Sequence, residues 1–137
     1  MRRPSIPAVA ALALITAGGT FSAVAAAHPA TLHLTATVYD VHTVKDVSSS
    51  KERVYEGSMK VGEDSSTCTR KTSSTAHCTG SYRLTDGTIR FSGTISSSNT
   101  NRLTITGGTG SYKGARGTVL TEYNRLGTKA KETITFK

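Results

Sequence analysis

The sequence has no tryptophan, and aromatic residues make up only 6% of it. It has no basic run and no aromatic ladder interleaved with one. The stacking platform that grips single-stranded nucleic acid is therefore missing. The formal charge of +8 is scattered singly along the chain. Setting aside Arg2 and Arg3 leaves 15 Lys and Arg against 9 Asp and Glu, about +6 from His28 onward. That balance reads as solubility and weak adhesion to anionic polymers, and no nucleic-acid partner is expected. No window carries the three-four spacing of an amphipathic helix, and Ala and Leu are scarce after residue 36. Catalytic signatures are equally thin. The serine-rich runs lack a Gly-x-Ser-x-Gly elbow. His28, His33, His42 and His77 have no metal-ligand partner at useful spacing. No metal and no cofactor are expected.

What is present begins with an export leader. Arg2 and Arg3 form a basic start, Ala8 to Ala17 an apolar run, and Ala23-Val24-Ala25 or Ala25-Ala26-Ala27 a small-x-small cleavage site. The apolar run falls well short of the roughly 20 residues of a spanning helix. The expected division is a signal peptide over 1–27 and one domain over 28–137. About 110 residues suffice for a single core. The expected location is extracellular, with no membrane contact after cleavage.

The mature part is rich in Thr, Ser, Gly, Val, Ile and Tyr, which is strand and turn composition. In Thr31 to Thr43, Leu32, Leu34, Ala36 and Val38 alternate with His33, Thr35, Thr37 and Tyr39. A second strand is expected over Arg53–Val61, with Tyr55, Gly57, Met59 and Val61 in phase. Val44 to Lys51 reads as a long polar loop. Strands around Cys68 and Cys78 form a hairpin across Thr72–Thr75. Asp86-Gly87 is a strong turn signal and leads into Thr88–Ser96. Short strands over Arg102–Thr106, Ala115–Tyr123 and Glu132–Lys137 follow, the first broken by Gly107 to Gly110. These make eight strands in meander order. So many edges in so small a domain are hidden by closure into a barrel, with a two-sheet sandwich as the alternative.

Cys68 and Cys78 survive cleavage into an oxidising compartment, where an even count reads as a disulfide. Closing so short a loop is worth about 2–3 kcal/mol in chain entropy. Their spacing is far from Cys-x-x-Cys, which argues against redox or metal work.

The most specific segment is Ile105-Thr106-Gly107-Gly108-Thr109-Gly110-Ser111-Tyr112-Lys113-Gly114-Ala115-Arg116-Gly117. Gly107, Gly108 and Gly110 permit positive φ and close backbone approach, as a chain reversal needs. A phosphate loop does not fit, since position 113 is Lys and no helix follows. The segment resembles the GGTG-x-aromatic-x-x-ARG signature of the allene oxide cyclase and dirigent superfamily. Gly80 to Ile89, Lys60-Val61-Gly62 and the two cysteines resemble its secreted bacterial members. The resemblance implies an all-β fold: an eight-stranded antiparallel closed β-barrel of calycin-like shape. It also implies a small apolar or phenolic ligand, whose isomerisation or coupling the cavity guides by shape and a few polar groups. The plant relatives oligomerise, which extends the expectation of a homo-oligomer to this chain.

Four residues emerge as ligand-binding candidates. Arg116 matches the arginine of the signature, and Tyr112 its aromatic. Glu122 shares a strand face with Arg116 by two-residue alternation. Asp40 falls near the end of the first strand, where dirigent proteins carry an acid. Each has a plainer reading: ion pair or outward surface for Arg116, core packing for Tyr112, ordinary surface for Glu122. Glu52, Glu56, Glu63 and Asp64 fall in polar stretches and carry no expectation. The plant cyclase's polar pocket set is not recognisable, and a narrow barrel filled by Leu, Ile and Val would hold no cavity. A non-enzymatic secreted interaction module is the alternative function.

Overall fold

A computed structural model describes residues 28–137, so the expected leader and its cleavage site lie outside the described residues. Eight strands follow one another: β1 Thr31–Val44, β2 Val47–Glu56, β3 Met59–Arg70, β4 Thr75–Leu84, β5 Gly87–Ser96, β6 Thr100–Gly110, β7 Gly117–Tyr123 and β8 Lys129–Phe136. Each pairs antiparallel with the next, and β8 pairs with β1. The sheet is a closed barrel, so the sandwich alternative falls away. In the register of closure Leu32 faces Ile134 and Leu34 faces Glu132 across β1 and β8.

Alternation decides what lies inside. Leu32, Leu34 and Ala36 of β1, Ile89 and Phe91 of β5, Leu103 and Ile105 of β6, Val119 of β7, and Ile134 and Phe136 of β8 are all buried. Three β-bulges bend the strands toward closure, their extra residues being Tyr39 in β1, Val61 in β3 and Thr106 in β6. Beyond the first bulge β1 parts from β8. Its pairing with β8 ends at Thr37–Lys129, while its pairing with β2 runs on to Val44–Val47. Asp40 to Val44 therefore stands out as one side of a wing.

Two expectations about strand limits are corrected. Val44 to Lys51 is not a loop: β1 and β2 meet in a two-residue turn at Lys45-Asp46, with Lys45 at φ +54°. Arg53 to Val61 is not one strand either. It is broken at Gly57-Ser58, where Gly57 takes φ +59°, and Tyr55 and Met59 do not point into the core. Both errors share a cause. The inward positions of β2 and β3 are largely polar, so a hydrophobic period does not reveal them.

The glycine segment also differs. β6 runs through Gly107 and Gly108, and the chain reverses after it, over Ser111–Gly114. Gly110 does take a left-handed φ of +60°. Gly108 is needed for approach: a Cβ there would lie 2.4 Å from the Tyr112 carbonyl oxygen and 2.5 Å from that of Thr88. Gly107 is nearly extended at φ +159°, and a Cβ would meet only the mobile end of Arg90. The disulfide joins Cys68 and Cys78, directly paired across β3 and β4.

Candidate functional site

The barrel interior has two unlike ends. Near the Gly108–Tyr112 reversal it is apolar. Tyr112 and Phe136 stack with ring centroids 5.8 Å apart, and His28 lies 4.2 Å from Phe136. Toward the disulfide it is polar. There Glu52 of β2, Asp64 of β3 and Glu132 of β8 converge, each no more than 6% exposed. One carboxylate oxygen from each lies within 4.8 Å of the others. Register explains the meeting. Glu52 pairs with Asp64 across β2 and β3, while β1 separates Glu52 from Glu132 by strand positions carrying Leu34, Ala36 and Val38. Ala36, fully buried and small, leaves room for the two glutamates to approach over it.

Two phenols and a hydroxyl complete the cluster. The Tyr123 hydroxyl donates to Glu52 Oε1 at 3.0 Å. Tyr82, paired with Asp64 on β4, is fully buried and turns its hydroxyl toward Glu132. Thr121 is buried opposite Glu132 on β7. Three carboxyl oxygens are left buried without a hydrogen-bond partner: Glu52 Oε2, Asp64 Oδ1 and Glu132 Oε2. Among the described residues the one ion pair is Lys60–Glu63, at 3.4 Å on the surface. No Lys or Arg among the described residues forms an ion pair with the cluster.

Its electrostatics follow. Burial strips water from the carboxylates and favours their neutral forms. The Glu132 carboxyl is pushed up to about 8 by burial and then by the Glu52 charge, against a lowering hydrogen bond from Tyr82. Asp64 is raised well above its ordinary range by burial and by the charges of Glu132 and Glu52. Glu52 is raised by burial, partly offset by the Tyr123 hydroxyl. Burial and the same acids raise the phenols of Tyr82 and Tyr123.

A void of about 60 Å³ borders the cluster, lined among others by Asp64, Tyr82, Thr121, Tyr123 and Glu132. It is large enough for water or an ion and far below the roughly 300 Å³ of an ordinary ligand pocket. A second hollow of about 310 Å³ lies at the rim, among the β1–β2, β3–β4 and β5–β6 turns. The two share Cys68 and Ile95 as wall. The disulfide thus stands between the rim and the acids.

None of the four candidates read from the sequence reaches this cluster. Arg116 is exposed, and its Nη1 donates to the carbonyls of Thr106 at 3.0 Å and Ala115 at 2.8 Å. It ties the reversal down. Tyr112 is core at the opposite end, its hydroxyl on Asp86 Oδ2 at 3.3 Å and its pKa raised to about 12, chiefly by burial. Glu122 is outward, because the inward residues of β7 are Gly117, Val119 and Thr121. Asp40 is exposed beyond the bulge. The residues that do converge were legible in part. Glu132 is in phase with Ile134 and Phe136, Glu52 with Val54, and Asp64 with Cys68, whose partner Cys78 is buried. In the sequence the histidines and cysteines are the residues weighed as metal ligands, and these three carboxylates carry no expectation.

No curated protein sequence matches the chain. Solved structures do, at identities that speak for the fold alone. Pyocyanin demethylase aligns with TM-score 0.69 and 17% identity over 78% of this chain and 99% of its own. A nonspecific heme-binding cyclase that catalyses a cycloaddition during neoabyssomicin biosynthesis aligns with TM-score 0.61 and 14% identity, over 78% of this chain and 65% of its own. The pterocarpan synthase dirigent protein aligns with TM-score 0.61 and 14% identity, over 77% and 85%. Residues 28–134 match the family described as allene oxide cyclase barrel like domain. With the closed eight-strand meander and the GGTG reversal already in view, that match covers nearly all of the described residues, and the chain belongs to the allene oxide cyclase barrel-like family.

Proposed function

We propose that this is an exported barrel that takes a small apolar or phenolic molecule at its disulfide-bearing rim and hydrogen-bonds it to the buried carboxyl–phenol cluster below. One observation carries the reading: three carboxyls and two phenols occupy interior positions that aliphatic side chains would fill at lower free-energy cost. Burying carboxyls without full hydrogen bonding is expensive. Sequences keep such local conflicts chiefly where function needs them. A ligand oxygen or nitrogen arriving from the rim would find both donors and acceptors within one polar spot in an otherwise apolar wall. That arrangement fixes orientation, which is what guiding an isomerisation or coupling requires. The three structural neighbours named above are, by their names, a demethylase, a cyclase and a synthase-type dirigent protein, which supports a small molecule as partner. Export rests on the basic–apolar–small pattern over 1–27 and agrees with a cysteine pair held as a disulfide.

The alternative, a packed interaction module, draws on the small interior void. Uptake of a fluorescent naphthol separates the two. The wild type should bind it, Tyr123→Phe and Ile95→Trp should weaken binding, and Arg116→Ala should leave it unchanged. No uptake by the wild type would end the ligand reading and leave the packed module.

A further inference from the structure

The cluster of Glu52, Asp64 and Glu132 is a problem of charge before it is a site of chemistry. Three carboxyls from three strands are buried together, and no basic side chain among the described residues meets them. Each also directs one oxygen that no protein group satisfies, although in folded proteins such buried atoms nearly always find a partner. Two kinds of partner fit a space beside acids: protons with water, or a cation.

The geometry points to a cation: we infer that Glu52, Asp64 and Glu132 form a binding site for one hard divalent metal ion. The three offered oxygens lie within 4.8 Å of one another. An ion at about 2.0–2.6 Å from each ligand needs its ligands no farther apart than about twice that distance. The unpartnered atoms are one on each residue, as a single central ion requires. The adjoining void of about 60 Å³ has room for the ion and a water, and the Tyr123 and Thr121 side chains on its wall add neutral oxygen donors. An all-oxygen set selects calcium, magnesium or manganese over zinc or copper, which favour nitrogen and sulfur. Both sulfurs nearby are held in the disulfide and are not available as thiolates. The ion would enter from the rim hollow, past Cys68 and Ile95. This inference concerns the interior void alone and stands or falls without any ligand at the rim.

The test uses the purified protein with no organic ligand, stripped with EDTA, freed of chelator and held at about pH 8, where an arriving metal ion has only to displace the protons that the buried carboxyls still hold. Manganese binding is followed by its electron paramagnetic resonance signal, with calcium and magnesium as competitors and thermal melting as a second readout. The expected result is one ion per chain, displaced by a competitor, with a rise in melting temperature that sodium chloride of equal ionic strength does not reproduce. Glu132→Gln should bind at least about tenfold more weakly, yet melt higher than the wild type when both are metal-free, because it removes a buried charge. Glu63→Gln, at the surface ion pair, should bind as the wild type does. Asp64→Asn serves in place of Glu132→Gln should the latter fail to fold. Absence of bound ion in the wild type would overturn the inference. So would undiminished binding in Glu132→Gln, which would place the ion on exposed acids instead.

Discussion

The two halves of the barrel interior follow opposite rules although the same strands build both. On β8, Ile134 and Phe136 serve the apolar half and Glu132, two residues away on the same face, serves the acidic one. The apolar half is held by burial of Leu32, Ile89, Ile105, Val119 and their neighbours, closed by the Tyr112–Phe136 stack. Each fully buried aliphatic side chain there contributes about 1.5–3 kcal/mol. The acidic half also buries Tyr82, Phe91 and Leu103, but against that gain it carries three desolvated carboxyls. A closed sheet can bear such a region because every strand is already paired on both sides. The lesson is a division of labour along the barrel axis: one half stabilises, and the other is left free to bind.

The largest test of that division is a pair of substitutions two residues apart. Ile134→Ala should destabilise the protein by about 2–5 kcal/mol, seen as a clear fall in denaturation midpoint. Glu132→Gln should raise the midpoint of metal-free protein near neutral pH. Equal losses from both would erase the distinction between the halves.

The second test is pH, with divalent ions removed by chelator. The Glu132 carboxyl sits near 8 in the fold against an ordinary 4.5, and Asp64 and Glu52 are raised as well. For an acid raised on folding, the fold favours the protonated form. Stability is therefore greatest below the ordinary pKa and is lost as pH climbs from about 4.5 toward 8, on the order of 1 kcal/mol per pH unit. Thermal melting at stepped pH should show this decline, and Glu132→Gln should flatten it. A midpoint that rises across the window would contradict the described cluster.

The smallest effect is expected from Arg116→Ala. Its guanidinium binds two backbone carbonyls from an exposed position, and the loss should stay under about 1 kcal/mol. A large drop in melting temperature would mean that the reversal depends on it far more than these contacts imply.

Much of the barrel was legible from alternation, because most inward positions are aliphatic. In β1, Leu32, Leu34 and Ala36 declared their face, and in β5 so did Ile89 and Phe91. The method failed where the interior turns polar. Ser48 and Ser50 read as loop and Glu52 as a polar stretch, yet all three continue the face of Val54, and Asp64 was passed over for the same reason. The signature residues lie elsewhere than the acid cluster. Arg116 and Tyr112 lie where the chain reverses, and there they tie down and seal one end of the barrel.

By itself the sequence determined the number and order of strands and the cysteine pair, since period-two patterning and short connections are local properties; closure was decided against a sandwich only by the pairing of β8 with β1. Only the tertiary structure decided that Glu52, Asp64 and Glu132 share one buried space. They lie 12 and 68 positions apart along the chain, and their meeting depends on register: on β2 lying against β3, on β8 closing onto β1, and on the small Ala36 between. Side chains that far apart are brought together by the pairing of strands, which no local pattern specifies.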